Sequence, residues 1–171
     1  MKTLSTLAVL SLTAAAQAIT LDINAGHSTP KNYDNVSVVG LGIGTQLNNE
    51  FHLGLNVAQK NVTDIGIVGP GGVDGKARSA TLDLTYTLSQ GGIRPFVGAG
   101  VGGVWFSGAS IDTTNAFATK LFAGVSFQIS QNIDLVLTAQ NSKFYSVQKT
   151  AGGAEENITS WDAIAGLRFT F

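Results

Sequence analysis

The chain has no cysteine, which excludes disulfides, thiolate metal sites and cysteine nucleophiles at the outset. Charge is scarce as well: 12% of residues are ionised types, against roughly 25% in an ordinary soluble domain. The formal net charge of −1 leaves no basic excess. Nucleic-acid binding needs a clustered basic face, so no nucleic-acid partner is expected. Beyond residue 18 there is no run of eighteen apolar residues, so a membrane-spanning helix is excluded too. Glycine, by contrast, is abundant, at 21 of 171 residues, well above the usual share of about 7%.

What is present begins with an export signature. Lys2 supplies a positive start, Leu4 to Ala16 is an apolar stretch too short to span a bilayer, and Ala16-Gln17-Ala18 is a small-x-small cleavage site. Residues 1–18 are therefore expected to be a signal peptide, with residues 19–171 as the single mature domain. In that domain two-residue alternation dominates. Trp161, Ala163, Ala165, Leu167, Phe169 and Phe171 share one face of a C-terminal strand, and Ala80, Leu82, Leu84, Tyr86 and Leu88 share one face of another, opposite Ser79, Thr81, Asp83, Thr85 and Thr87.

The same pattern predicts strands over 19–25, 36–47, 51–60, 78–88, 93–105, 117–129, 133–143 and 158–171. Short turns at Asn48 to Glu50, Ser89 to Gly92 and Ser130 to Asn132 alternate with long segments at 26–35, 61–77, 106–116 and 144–157. An even strand count with short turns at one end and four long loops at the other suits an eight-stranded antiparallel up-and-down transmembrane β-barrel. The loop 61–77, holding Gly69-Pro70-Gly71-Gly72, is expected to be the most mobile.

The polar face holds Asp22, His52, Asp83, Arg94, Lys120, Asp134, Asp162 and Arg168 among small residues, whereas the apolar face is nearly free of charge. A charged side chain on the lipid face costs about 2–4 kcal/mol at the bilayer midplane, so polar is expected to mean inside. Gly40, Gly42 and Gly44, and likewise Gly98, Gly100 and Gly102, suit the cramped lumen of eight strands. Phe51, Tyr86, Trp105, Phe117, Phe127, Trp161, Phe169 and Phe171 lie mostly near strand ends, as interfacial girdles require.

Arg94-Pro95-Phe96-Val97-Gly98-Ala99-Gly100-Val101-Gly102 and the last strand, Ala163 to Phe171, resemble segments of the OmpA-like and OmpX-like family of small outer-membrane β-barrels. The resemblance implies residence in the cell outer membrane of a Gram-negative bacterium. It also implies that Phe171, Phe169 and Leu167 act as the insertion signal read by the barrel-assembly machinery. Larger members carry a peptidoglycan-binding domain after the barrel, and no such tethering is expected here.

The eight ionisable residues are expected to form a lumenal network that plugs the barrel, with Asp22 beside Arg168 across the closure and Asp83, Lys120 and Asp162 near mid-barrel. Gly98, Gly100 and Gly103 satisfy a dinucleotide-binding spacing but lack the strand–helix context, so no cofactor is expected. No metal-ligand spacing occurs.

Enzymatic barrels exist, yet His27-Ser28 falls in the first expected loop. Gln140-Asn141-Ser142 resembles the His-Ser segment of lipid A deacylases with Gln in place of the base, so no enzyme is expected. The leading expectation is an outer-membrane barrel in contact with membrane lipid, whose four long loops meet host, phage or other surface ligands. The alternatives are a narrow ion or small-solute channel through the lumen and a soluble secreted ligand-binding β-barrel.

Overall fold

The computed structural model describes residues 18–30, 36–62, 75–108, 115–148 and 155–171. The expected signal peptide, apart from Ala18, and the Gly-Pro-Gly-Gly loop lie outside these residues. Alternation becomes eight strands: β1 (Ala18–Pro30), β2 (Val36–Gln46), β3 (Phe51–Val62), β4 (Gly75–Thr87), β5 (Ile93–Gly108), β6 (Asn115–Ser130), β7 (Ile133–Gln148) and β8 (Glu155–Thr170).

Each strand pairs antiparallel with its sequence neighbours, and β1 pairs with β8 to close the barrel. The seam is sealed to its last residue. Ile19 N–H donates to the Phe171 carbonyl at 3.3 Å, and Phe171 N–H donates back to Ile19 at 2.9 Å. Closure removes every free strand edge, which in hydrocarbon would be a row of unsatisfied amides and carbonyls.

Side-chain chemistry sets the tight turns. Asn48 Oδ1 accepts the Glu50 and Phe51 amides, each at 2.8 Å, and so reverses the chain between β2 and β3. Asn132 Nδ2 donates to the Thr170 carbonyl at 2.7 Å and ties the β6–β7 turn to the end of β8.

The outer wall is a continuous apolar belt. Leu41 is 58% exposed, Leu82 51% and Leu121 67%, values that only a lipid solvent makes comfortable. Aromatic residues mark the two rims of the belt. Nine residues run from Phe51 to Gln59 on β3, from Tyr86 back to Arg78 on β4 and from Phe169 back to Trp161 on β8. A tilted strand needs about 9–11 to cross the hydrocarbon.

Above the upper rim the pattern inverts. Val36, Ala77, Val104, Phe106, Ala116, Ala118 and Phe144 are buried inside and pack with Ile158, while Ser37, Lys76, Ser107 and Asn115 face outward. Two expectations are corrected here. The lumen is not polar along its whole length, because above the membrane water surrounds the barrel and the ordinary apolar-inside rule returns.

The strands also run further than alternation suggested at the long-loop end. β1 reaches Pro30, β3 Val62, β5 Gly108 and β7 Gln148, while β4 starts at Gly75, β6 at Asn115 and β8 at Glu155. Ladder hydrogen bonds continue there around the new core. His27 is accordingly on β1 and not in a loop, exposed on the outer face.

Leu82 lies midway between Tyr86 and Arg78. Leu82→Arg should lower stability in lipid vesicles by about 2–4 kcal/mol in denaturant titrations read by heat-modifiable gel migration. Ser107→Arg, above the rim, should change it by less than about 0.5 kcal/mol.

Candidate functional site

Alternate residues of each strand face the axis, and three tiers of polar contacts follow. At the short-turn end, Thr20 Oγ1 and His52 Nε2 are 2.7 Å apart. Arg168 grips Asp22 with both arms, Nε to Oδ1 at 2.7 Å and Nη2 to Oδ2 at 2.9 Å. The β1–β8 register puts these two residues opposite each other, and the β7–β8 register sets Asp134 opposite Arg168. Asp134 is itself paired with Arg94.

The middle tier is the Lys120–Asp83 pair at 2.7 Å, with the ammonium 5.5 Å from the centre of the Phe122 ring. Beside it lies a cavity of about 80 Å³ with a mixed lining, Asp22, His52 and Asp83 among its polar residues and Phe96, Phe122 and Val136 among its apolar ones. Glycine makes room for these side chains. A Cβ at Gly44 would come within 2.6 Å of the His52 ring, and one at Gly100 would collide with the Asp83 carboxylate.

The upper tier centres on Lys60, which sequence reasoning missed. Its ammonium donates to Asp162 at 2.8 Å, Ser160 Oγ at 2.9 Å and Ser28 Oγ at 3.1 Å, using all three of its protons. Asp162 also accepts from Gln140 Nε2 at 2.6 Å and Ser160 Oγ at 3.1 Å. The side chains of the pair are 9% and 0% exposed. Above them the Phe144 ring centroid is 5.6 Å from Lys60 Nζ, and Phe106 meets Phe144 edge-on at 6.4 Å.

The geometry is that of a stopper: a fully satisfied ionic cross-link lies under an apolar cap. Asp162 stands beside Trp161 at the upper rim, higher than the mid-barrel position expected for it. Lys60 could have been found from parity alone, because His52, Gly54, Asn56, Ala58 and Lys60 fall on one face. Four acids and four bases meet in four ion pairs among the described residues.

The remaining candidates separate. Ser28 is buried inside while the neighbouring His27 is exposed outside, so the two cannot act on one substrate atom. Gln140 and Ser142 face the lumen. Gly98, Gly100 and Gly103 lie on β5, without a helix to hold a pyrophosphate.

A closed eight-stranded antiparallel barrel with an apolar belt and a charged interior is the fold of the small outer-membrane β-barrels, and the chain has that fold. Among solved structures it is similar to neisserial surface protein A, NspA, with a TM-score of 0.73 and 17% identity over 90% of this chain and 97% of that one. It is also similar to OprG of Pseudomonas aeruginosa, with a TM-score of 0.63 and 16% identity over 92% and 96% of the two chains. The outer-membrane enzyme PagL shares the fold, with a TM-score of 0.54 and 16% identity over 85% and 97%. No protein-family model matches the sequence, and no curated protein matches it.

Asp162→Ala leaves the Lys60 ammonium buried without its counter-ion and should cost about 3–5 kcal/mol, measured by urea unfolding in lipid. The double variant Lys60→Met/Asp162→Leu, which removes both charges, should recover most of that loss.

Proposed function

We propose that the protein is a non-enzymatic outer-membrane barrel whose working surface is its long-loop end, exposed outside the cell to host, phage or other surface ligands. The observation that carries this reading is the stopper. With Lys60–Asp162 cross-linking the strands and Phe106 and Phe144 over it, ionic and apolar side chains occupy the described lumen at the upper rim. A lumen filled in this way disfavours solute transport and leaves the loop end as the surface for recognition. In the same reading the inward charges are structural: they neutralise one another and hold the strands in register.

PagL shows that this fold can carry an enzyme, but the residues here give catalysis little support. The His–hydroxyl contact on hand, Thr20–His52, is buried at the short-turn end, with Thr20 only 3% exposed. Export completes the reading: residues 1–18 are removed as a signal peptide, residues 19–171 form the mature barrel, and Phe171, Phe169 and Leu167 present the final strand to the assembly machinery. The exposed aliphatic belt argues against a soluble ligand-binding barrel.

Purified protein in planar bilayers should show no steady open channel. A sustained conductance would replace this reading with the narrow-channel alternative. Because the chain has no cysteine, single introduced thiols report its orientation. An impermeant maleimide should label Ser107→Cys on intact cells and Ser89→Cys only after lysis.

A further inference from the structure

A groove of about 750 Å³ crosses the outer wall, lined by Ile23, Ala25, Val57, Leu135 and Leu167 and closed at its upper end by Gln59 and Arg78. The strand register makes it one diagonal path. Leu135 pairs with Leu167, Leu167 with Ile23, Ile23 with Leu41 and Leu41 with Val57. One step higher, Ala165 pairs with Ala25, Ala25 with Val39, Val39 with Gln59 and Gln59 with Arg78.

Leu135 is two residues from the start of β7, whereas Arg78 stands at the upper rim, so the path climbs the apolar belt from one side to the other. Ala25 and Ala165 have the shortest side chains of the outward-facing lining, beside Ile23, Val39 and Leu167. At its head the chemistry changes. Arg78 is exposed, and its Nε donates to Gln59 Oε1 at 3.1 Å, which orients the guanidinium at the membrane–water boundary. Lys76 is exposed two residues further along the same face. The register partners of the two cations, Gln59, Trp105, Asn61 and Ser107, carry no charge to neutralise them.

An apolar trough one acyl chain can follow, ending at a guanidinium fixed at headgroup height, is complementary to an amphiphile with an anionic head. A guanidinium binds phosphate oxygens in a two-pronged geometry that a plain carbon surface cannot supply. We infer that this groove holds one phosphorylated lipid of the outer leaflet, its acyl chain along Ala25 and Ala165 and its phosphate on Arg78 with Lys76 nearby.

The inference rests on the long-loop end facing outward, which the cysteine labelling above tests independently. Native mass spectrometry of the full barrel in detergent, with bisphosphorylated lipid A as probe and dephosphorylated lipid A as its control, tests the site itself. The folded protein should retain one phosphorylated lipid and lose the dephosphorylated one.

Arg78→Gln should reduce retention about tenfold, Arg78→Lys should restore part of it, and Ala165→Phe, which fills the trough, should reduce it comparably. Lys143→Gln, on β7 eight residues beyond Leu135 and three strands from Arg78, should leave it unchanged. Folding of each variant is verified by heat-modifiable migration. Equal retention of the two lipids, or an Arg78→Gln variant that binds as well as the parent, would overturn the site.

Discussion

Hydrocarbon offers no hydrogen-bond partner, and almost every feature of this molecule follows from that one deficiency. A sheet in lipid must pair all its amides and carbonyls internally, so the strands curl until β1 meets β8. Closure creates a crowded inside and, along the apolar belt, an outside that water does not reach. Side chains are then sorted by where their polar atoms can be satisfied: aliphatics to the lipid, ions to the axis.

Crowding at the axis dictates the rest. Eight strands leave little more than side-chain volume inside, and eight charged groups must share it. They fit because each charge has an opposite partner within contact distance and because glycines such as Gly44 and Gly100 stand where a Cβ would strike a neighbour. The arrangement changes at the upper rim, where the surroundings change from lipid to water. Above Trp105 and Trp161 the barrel behaves like a soluble protein, with Phe106 and Phe144 inside and Ser107 and Lys76 outside. A polar plug and an apolar cap thus meet at Lys60, whose ammonium bonds downward to Asp162 and lies beneath a phenyl ring.

Much of this was legible from residue order. Alternation at 78–88 and 158–171 announced strands, Asn48 and Asn132 announced turns, and parity separated the inward Asp22, Asp83 and Arg168 from the outward leucines. Legibility failed at the long-loop ends. There the inside and outside chemistries exchange, so His27, Val104, Phe106 and Phe144 no longer follow the rule that holds lower down. Lys60 was missed at the margin of its expected strand, because its partners Ser28, Ser160 and Asp162 are 32, 100 and 102 residues away in sequence.

The order of amino acids by itself determined the strand count and pattern, and scarce charge with the turn spacing favours a lipid-facing barrel over a soluble one as the way to place the apolar face of eight strands. Which charges meet was decided only by the closed tertiary structure. Ion pairing depends on register and shear across the seam, quantities set by the collective fit of all eight strands. For the same reason the diagonal trough ending at Arg78 exists only once the strands are tilted and joined.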